Sequence, residues 1–592
     1  MPKKTRESRE TTASAAKSTP TAAPDSSASL RRKPRSKAPT GHPTKKKFSL
    51  INIWIAGACL KILLFTAYYS TDFDVHRNWL AITHNLPLKD WYLEHTSQWT
   101  LDYPPFFAYF EWALSQFVPQ IVKDDGCLSI VEVGNFSVPT VYFQRSTVIV
   151  SEILLFLSLQ WYIKSSELKE KQKSFVVASS IVLSPGFLMI DHIHFQYNGL
   201  LFGLLICSIV SAKNQKFLQC GFFFAVSLCF KHIFLYLAPA FFIFLLRSCL
   251  NIENTKNLKG LKKRKCSNLE LLFKLINWKR LFGLAIIVIS VFTVSFGPFV
   301  YYGVTNNLFR RLFPFSRGLT HAYWAPNIWA IYSFIDRLLI QLCLNVPIAP
   351  KILNKLGFAE STTSAQSIKS LMLNSSSTKG LVQDIEFVIL PNVPPSLTFF
   401  LTIFYQFFSF IPLFIKPTFN RFIGCLTLCG YSSFLFGWHV HEKAVLLIII
   451  PYSFLVIKDK RLLLTFDLLI FAGYVSLFPL LIKSNEWVIK VLYTYVWLLI
   501  FYKSFDEICS SSSSLMTRRV FYLDRLILMY IIGFIPLVLI CSFLDIFAIK
   551  IPIIKKLEFL RLMAYSVYCS VGIVSSWCAL NWLYFLDESL WN

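Results

Sequence analysis

Residues 48–79 read FSLINIWIAGACLKILLFTAYYSTDFDVHRNW, and this stretch decides the class of fold. Its first 22 residues form an apolar run long enough to cross a bilayer, which takes about 20. After Ser70 the last nine, Thr71-Asp72-Phe73-Asp74-Val75-His76-Arg77-Asn78-Trp79, turn abruptly polar where that helix would leave the membrane. Working outward, apolar runs recur at about 146–163, 174–190, 198–212, 218–246, 281–302, 396–415, 421–437, 444–457, 462–482, 487–503, 524–546 and 562–585. They predict an all-α polytopic membrane protein with roughly 12–14 transmembrane helices over residues 48–592.

Composition excludes a soluble chain. Of 592 residues, 54% are hydrophobic and 16% charged, against about 25% charged in ordinary soluble domains. A thicker core is no escape, because single cores stop growing near about 250–300 residues. The net charge of +26 suggests nucleic acid until its distribution is considered. Residues 1–47 carry 13 Lys and Arg against Glu7, Glu10 and Asp25, a surplus of ten, among Ser, Thr, Ala and Pro. This segment reads as a disordered cytosolic tail and a positive-inside flank. The other basic clusters, such as Lys262-Lys263-Arg264-Lys265, sit between apolar runs and read as cytosolic loops. No nucleic-acid partner is expected, since no aromatic reading surface accompanies the charge. The 14 cysteines are scattered without a Cys-x-x-Cys pair and read as small buried hydrophobes.

With the tail cytosolic, residues 70–145 become a large first luminal loop, too aromatic to be disordered, with a glycosylation sequon at Asn135-Phe136-Ser137. A second sequon lies at Asn374-Ser375-Ser376. Parity of crossings makes 303–395 a luminal or re-entrant region. Its apolar stretch 323–344 carries Asp336 and Arg337, which points away from a plain span.

Polar residues beside membrane ends are expensive, so their clusters mark function or pairing. Asp72 and Asp74 precede His76 and Arg77, a pattern for a base beside cations; Asp-x-Asp spacing also suits a divalent ion, and a paired loop start is the plain alternative. Trp99-Thr100-Leu101-Asp102-Tyr103-Pro104-Pro105 reads as a rigid turn in which Asp102 caps or pairs. The run Asp191-His192-Ile193-His194-Phe195-Gln196-Tyr197-Asn198-Gly199 offers a sugar or phosphate surface, with mutual satisfaction as the rival reading. His192 and His194 stand two apart and do not share a helix face, which disfavours zinc. Arg310 to Asn327, with Arg317 and His321, and Gly437 to Lys443, with His439, His441, Glu442 and Lys443, supply cations and imidazoles suited to an anionic head group. Lys443 beside Glu442 also fits a simple ion pair. Lys231-His232, between apolar runs, reads first as a snorkelling lysine and second as a phosphate contact.

Taken together, TDFDVHRNW (71–79), TLDYPPFFAYFEW (100–112), HFQYNG (194–199), LFPFSRGL (312–319), HAYWAPN (321–327) and FGWHVHEK (436–443) resemble the endoplasmic-reticulum glucosyltransferases that use dolichyl-phosphate glucose to extend the lipid-linked N-glycan precursor. The resemblance runs from about 48 to 585. Within that family the intact HAYWAPN block, and Thr100 where the sister branch usually has Gly, are most similar to the branch that adds an α-1,3-glucose to Glc1Man9GlcNAc2 on dolichyl diphosphate. The resemblance implies a C-type glycosyltransferase fold in the endoplasmic-reticulum membrane, with a luminal catalytic face and a cytosolic N-terminus. It implies that Asp72 holds the position of the catalytic base and that His441 lies near the donor phosphate.

The partners it implies are dolichyl-phosphate glucose, a dolichyl-diphosphate-linked oligosaccharide and membrane lipids. By chemistry and side, Lys443, Arg317 and His321 are further candidates for the donor. Asp74, Asp102, His194, Gln196, His439 and Glu442 are possible substrate contacts. No metal or other cofactor is expected, because a lipid monophosphate leaves without one. The alternatives are the sister enzyme acting on Man9GlcNAc2 and, more remotely, a lipid-sugar transporter. Transporters usually gather ionisable groups at mid-membrane in repeated, broken helices, whereas here the polar clusters fall at helix ends and no repeat is visible.

Overall fold

The computed structural model describes residues 48–250, 276–313, 318–320, 323–346, 348–355, 387–481, 484–509, 517–547 and 559–591. The tail 1–47, the sequon at Asn374, and Arg317 and His321 lie outside the described residues.

Among the described residues the chain is helical, without strands; its isolated bridges are Leu250 with Ile276 and Thr320 with Val440. Eight helices are long and apolar enough to cross a membrane, or nine if a bent pair at the start counts as one. Helices Asn198–Lys213, Phe217–Phe230 and His232–Ser248 are apolar but shorter. Several of the 12–14 expected spans are therefore broken or short helices. The run at 444–457, for example, is a turn followed by helix Leu446–Ser453.

Burial sorts the spans. Lys460–Leu480 and Leu168–Phe195 are the central ones, 89% and 83% buried, while Trp278–Tyr301 and Asp524–Phe547 are 22% buried and peripheral. Apolar side chains on an outer span, such as Phe399, Phe400 and Phe407, remain exposed because lipid tails are as apolar as they are. Between helices, hydroxyls supply the specific contacts. Ser576 Oγ donates to the Thr465 carbonyl at 2.6 Å and lies 2.7 Å from the Tyr431 hydroxyl.

The first helix, Ile51–Leu63, ends in a 3-10 turn, and helix Thr71–Asn85 leaves it at 96°. That bend lays the second helix across the end of the first. Ser70 caps it: its Oγ accepts from the Asp72 N–H at 3.1 Å and donates to the His194 carbonyl at 2.6 Å. Arg145 clamps the same place by donating to the carbonyls of Leu64, Ala67, Tyr68 and Ile193.

The expected loop after the first helix is folded, as its aromatic content required. Asn78 donates to the Trp99 carbonyl, Trp79 to that of Thr100, Tyr92 to that of Tyr103, and Arg77 to that of Ser129. Two departures from expectation follow, and a third stretch shows how a buried acid is held. The helix expected from 146 begins at Val138. Residues 191–195, expected in a link, belong to a π-helix, Leu188–Phe195, which ends with Phe195 at φ +85. The stretch containing Asp336 is one continuous helix, Ile328–Asn345, in which Asp336 accepts the N–H groups of Ile389 and Leu390 at 2.9 and 2.8 Å.

Candidate functional site

Asp72 sits in the first turn of its helix, just past the bend, and three side chains from two distant parts of the chain converge on it. Gln196 Nε2 donates to its Oδ2 at 2.6 Å, Lys443 Nζ at 2.8 Å, and His194 Nε2 lies 3.4 Å away. Lys443 Nζ is also 3.1 Å from His194 Nε2. The other oxygen, Oδ1, takes no bond from any described residue, and the side chain keeps 24% of its surface exposed. Burial alone would raise this carboxyl. The Lys443 ammonium and the His194 ring outweigh burial and hold it well below the usual carboxylate range.

Behind Gln196 the polar path continues. Asn198 Nδ2 donates to Gln196 Oε1 and to Asp191 Oδ1, each at 2.9 Å, and the Gly199 N–H donates to Asp191 Oδ2 at 2.6 Å. Gly199 has to be glycine: a Cβ there would stand 2.9 Å from Glu152 Cγ. Deeper still, Glu152 receives Lys61 from the first helix and His192 from the π-helix, all three nearly fully buried. Lys61 and Glu152 escaped sequence reading, although a charge inside an apolar run is the signal that finds such residues.

The HVHEK block is positioned by strain and by a partner strip. Gly437 admits no Cβ, which would meet the Ser433 carbonyl oxygen, and His439 holds φ +52. The His439 N–H donates to Leu319 O at 2.9 Å and its ring Nδ1 to Gly318 O at 2.8 Å, so residues 318–320 run beside 439–440. His441 stacks edge-on to His439, with ring centroids 5.5 Å apart.

Site candidates thus separate. The structure brings together Asp72, His194, Gln196 and Lys443. Asp102 is half-buried, and its charge acts on Tyr103 and on Lys231. Asp74 makes no hydrogen bond to these groups; burial raises its carboxyl, partly offset by Arg77. Glu442 is 2% exposed, turned inward, and raised by burial against the pull of Lys443. Among the described residues no three His, Cys, Asp or Glu groups converge as metal ligands. The HAYWAPN block is partly structural: Asn327 caps helix Ile328–Asn345, and Tyr323 donates to Ser476 O at 2.8 Å.

Lys231 corrects the snorkelling reading. At the break after helix Phe217–Phe230 it turns inward, with Nζ 3.5 Å from Asn198 Oδ1 and 4.8 Å from the centre of the Tyr103 ring. Such an arrangement of one free carboxylate oxygen among ammonium and imidazole groups can accept a proton and neutralise an anion at the same place.

Comparison with known proteins agrees in extent. The model of the ALG6, ALG8 glycosyltransferase family matches residues 57–580. A Debaryomyces hansenii protein called dolichyl pyrophosphate Glc1Man9GlcNAc2 alpha-1,3-glucosyltransferase is 54% identical over 94% of this chain and 98% of its own. Proteins of the same name from Candida glabrata and Saccharomyces cerevisiae are 58% and 57% identical over 92% of this chain, covering 98% and 93% of theirs.

Proposed function

The chain belongs to the ALG6, ALG8 glycosyltransferase family, and from that premise we propose how its site works. It is a membrane-bound glucosyltransferase that adds glucose in α-1,3 linkage to Glc1Man9GlcNAc2 carried on dolichyl pyrophosphate. The donor is dolichyl-phosphate glucose, presented at the luminal face of the endoplasmic-reticulum membrane, with the basic N-terminal tail in the cytosol. The tail's surplus of positive charge supports that orientation.

The 3-hydroxyl of the acceptor's terminal glucose attacks the anomeric carbon from the face opposite the phosphate, so a β-linked donor gives an α-linked product. Asp72 Oδ1 takes the hydroxyl proton. The C1–O bond to phosphate breaks, and its electron pair stays on dolichyl phosphate, whose charge Lys443 and His441 meet, with Arg317 and His321 as further donor contacts. His194 and Gln196 hold Asp72 in place. No metal takes part, since ammonium and imidazole groups supply the positive charge.

The observation that carries this reading is the division of labour on Asp72: Oδ2 takes hydrogen bonds from Gln196 and Lys443, with the His194 ring 3.4 Å away, while Oδ1 is left for a ligand. The test is the purified full chain with dolichyl-phosphate glucose and a Glc1Man9GlcNAc2 or Man9GlcNAc2 lipid acceptor. Transfer is expected to the first acceptor alone and to fall about 100- to 10,000-fold in Asp72→Asn, the usual range for a general base. Retention of most activity in that variant, or its abolition in the wild type by a chelator, overturns the mechanism.

A further inference from the structure

Two ammonium groups stand at the ends of one hydrogen-bonded path through Asp72. From one end, Lys443 Nζ reaches Asp72 Oδ2 at 2.8 Å. From the other, Lys231 Nζ contacts Asn198 Oδ1 at 3.5 Å, Asn198 Nδ2 contacts Gln196 Oε1 at 2.9 Å, and Gln196 Nε2 contacts Asp72 Oδ2 at 2.6 Å.

Their satisfaction is unequal. Lys61, the other inward lysine of this region, lies on both oxygens of Glu152, and Lys443 lies on Asp72 and His194. Lys231 has one long bond to an amide oxygen and the face of a tyrosine ring, and no carboxylate of a described residue lies within 4 Å of it. An ammonium has three donors, and taking it out of water is costly unless they are used. Its side chain is half-buried over the Tyr103 ring, and Tyr103 and its neighbour Asp102 are half-buried too, so it borders accessible space. An anion that arrives during the reaction would use the remaining donors.

The reaction supplies one. A dolichyl-phosphate sugar is a phosphodiester with one negative charge; the departing dolichyl phosphate is a monoester carrying up to two. We propose that Lys231 is a catalytic residue of this site, its ammonium meeting the phosphoryl oxygens of dolichyl phosphate as the glycosyl bond breaks. This rests on reading the donor as a dolichyl-phosphate sugar. Because the second charge appears only as the bond breaks, Lys231 acts on the transition state and product more than on the bound donor.

The test uses the purified full chain. A wild-type protein that fails with dolichyl-phosphate glucose defeats the donor reading and says nothing of Lys231. Given an active wild type, Lys231→Gln is expected to lower kcat about 100-fold, the scale of losing one charge-stabilising donor, with the donor KM within about threefold. The inhibition constant of dolichyl phosphate, which already carries the extra charge, should rise at least about tenfold. Lys231→Arg should recover part of kcat, and ethylammonium should restore part of the activity of Lys231→Ala. A kcat within about threefold of wild type overturns the proposal, as does an equal weakening of donor and product binding. Should Lys231→Gln fail to fold, Lys231→Ala decides: ethylammonium restoring kcat with little change in donor KM supports the charge role, and a folded Lys231→Ala with kcat within about threefold of wild type overturns it.

Discussion

Asp72 shows how a protein tunes a base with groups distant in sequence. Burial would raise its carboxyl, yet Lys443 and His194 hold it well below the usual range, so it stays ionised over all ordinary pH. Activity that needs the carboxylate is present above the folded-state value and lost as pH falls through it. The acid limb of kcat/KM is therefore expected below about pH 4, the ordinary aspartate value. Lys443→Gln removes the largest opposing charge and leaves burial in force, so that limb should move upward, alongside a raised donor KM. A limb that does not move in a pH–rate profile of the variant would show that Lys443 does not set the base. Which residues converge was largely legible in the sequence, because Asp72, His194, Gln196 and Lys443 all lie in polar blocks beside apolar runs. Lys231 was not, because a lone lysine between apolar runs has the same pattern whether it turns toward lipid head groups or toward Asn198.

At the scale of elements, the π-helix Leu188–Phe195 does the most to shape the site. Its wide turns present His192 to Glu152 on one side and His194 to Asp72 on the other, and Phe195 closes it in a backbone conformation a phenylalanine seldom adopts. No sequence signal announces such a turn, since its geometry depends on anchors far away: Arg145 on the Ile193 carbonyl, Ser70 on that of His194 and Glu152 on His192. Glu152 also holds Lys61, so one carboxylate ties the first helix to the π-helix. Glu152→Ala leaves Lys61 buried without its counter-charge and should cost about 3–5 kcal/mol of stability. Replacing both partners with apolar residues, Lys61→Met with Glu152→Leu, should recover much of that loss. Thermal unfolding in detergent measures both, and a double variant no better than the single one would argue against the ion-pair account.

For the whole molecule, the alternation of apolar runs made the membrane class plain, because twenty apolar residues in a row have few other uses. The number of full spans was less plain: runs such as 444–457 are interrupted by turns fixed through packing. Orientation can be tested directly. Asn135 is exposed, in a non-helical segment before helix Val138–Ser151, on the loop that carries Asp72. With that loop in the lumen, the chain expressed in a eukaryotic host should carry a glycan there. Endoglycosidase treatment should then increase gel mobility, and Asn135→Gln should abolish that increase if Asn135 is the modified residue. A mobility unaltered by the enzyme would count against the luminal assignment.

The contact between Lys443 and Asp72 joins residues 371 apart. A ribosome must therefore deliver three quarters of the protein before the aspartate gains its ammonium partner, and until then the earliest membrane segments hold the acid with Gln196 and His194 but without that charge. Assembly of the reactive centre becomes a late checkpoint in biosynthesis, and a truncated translation product, however well inserted, has no working centre to release into the membrane.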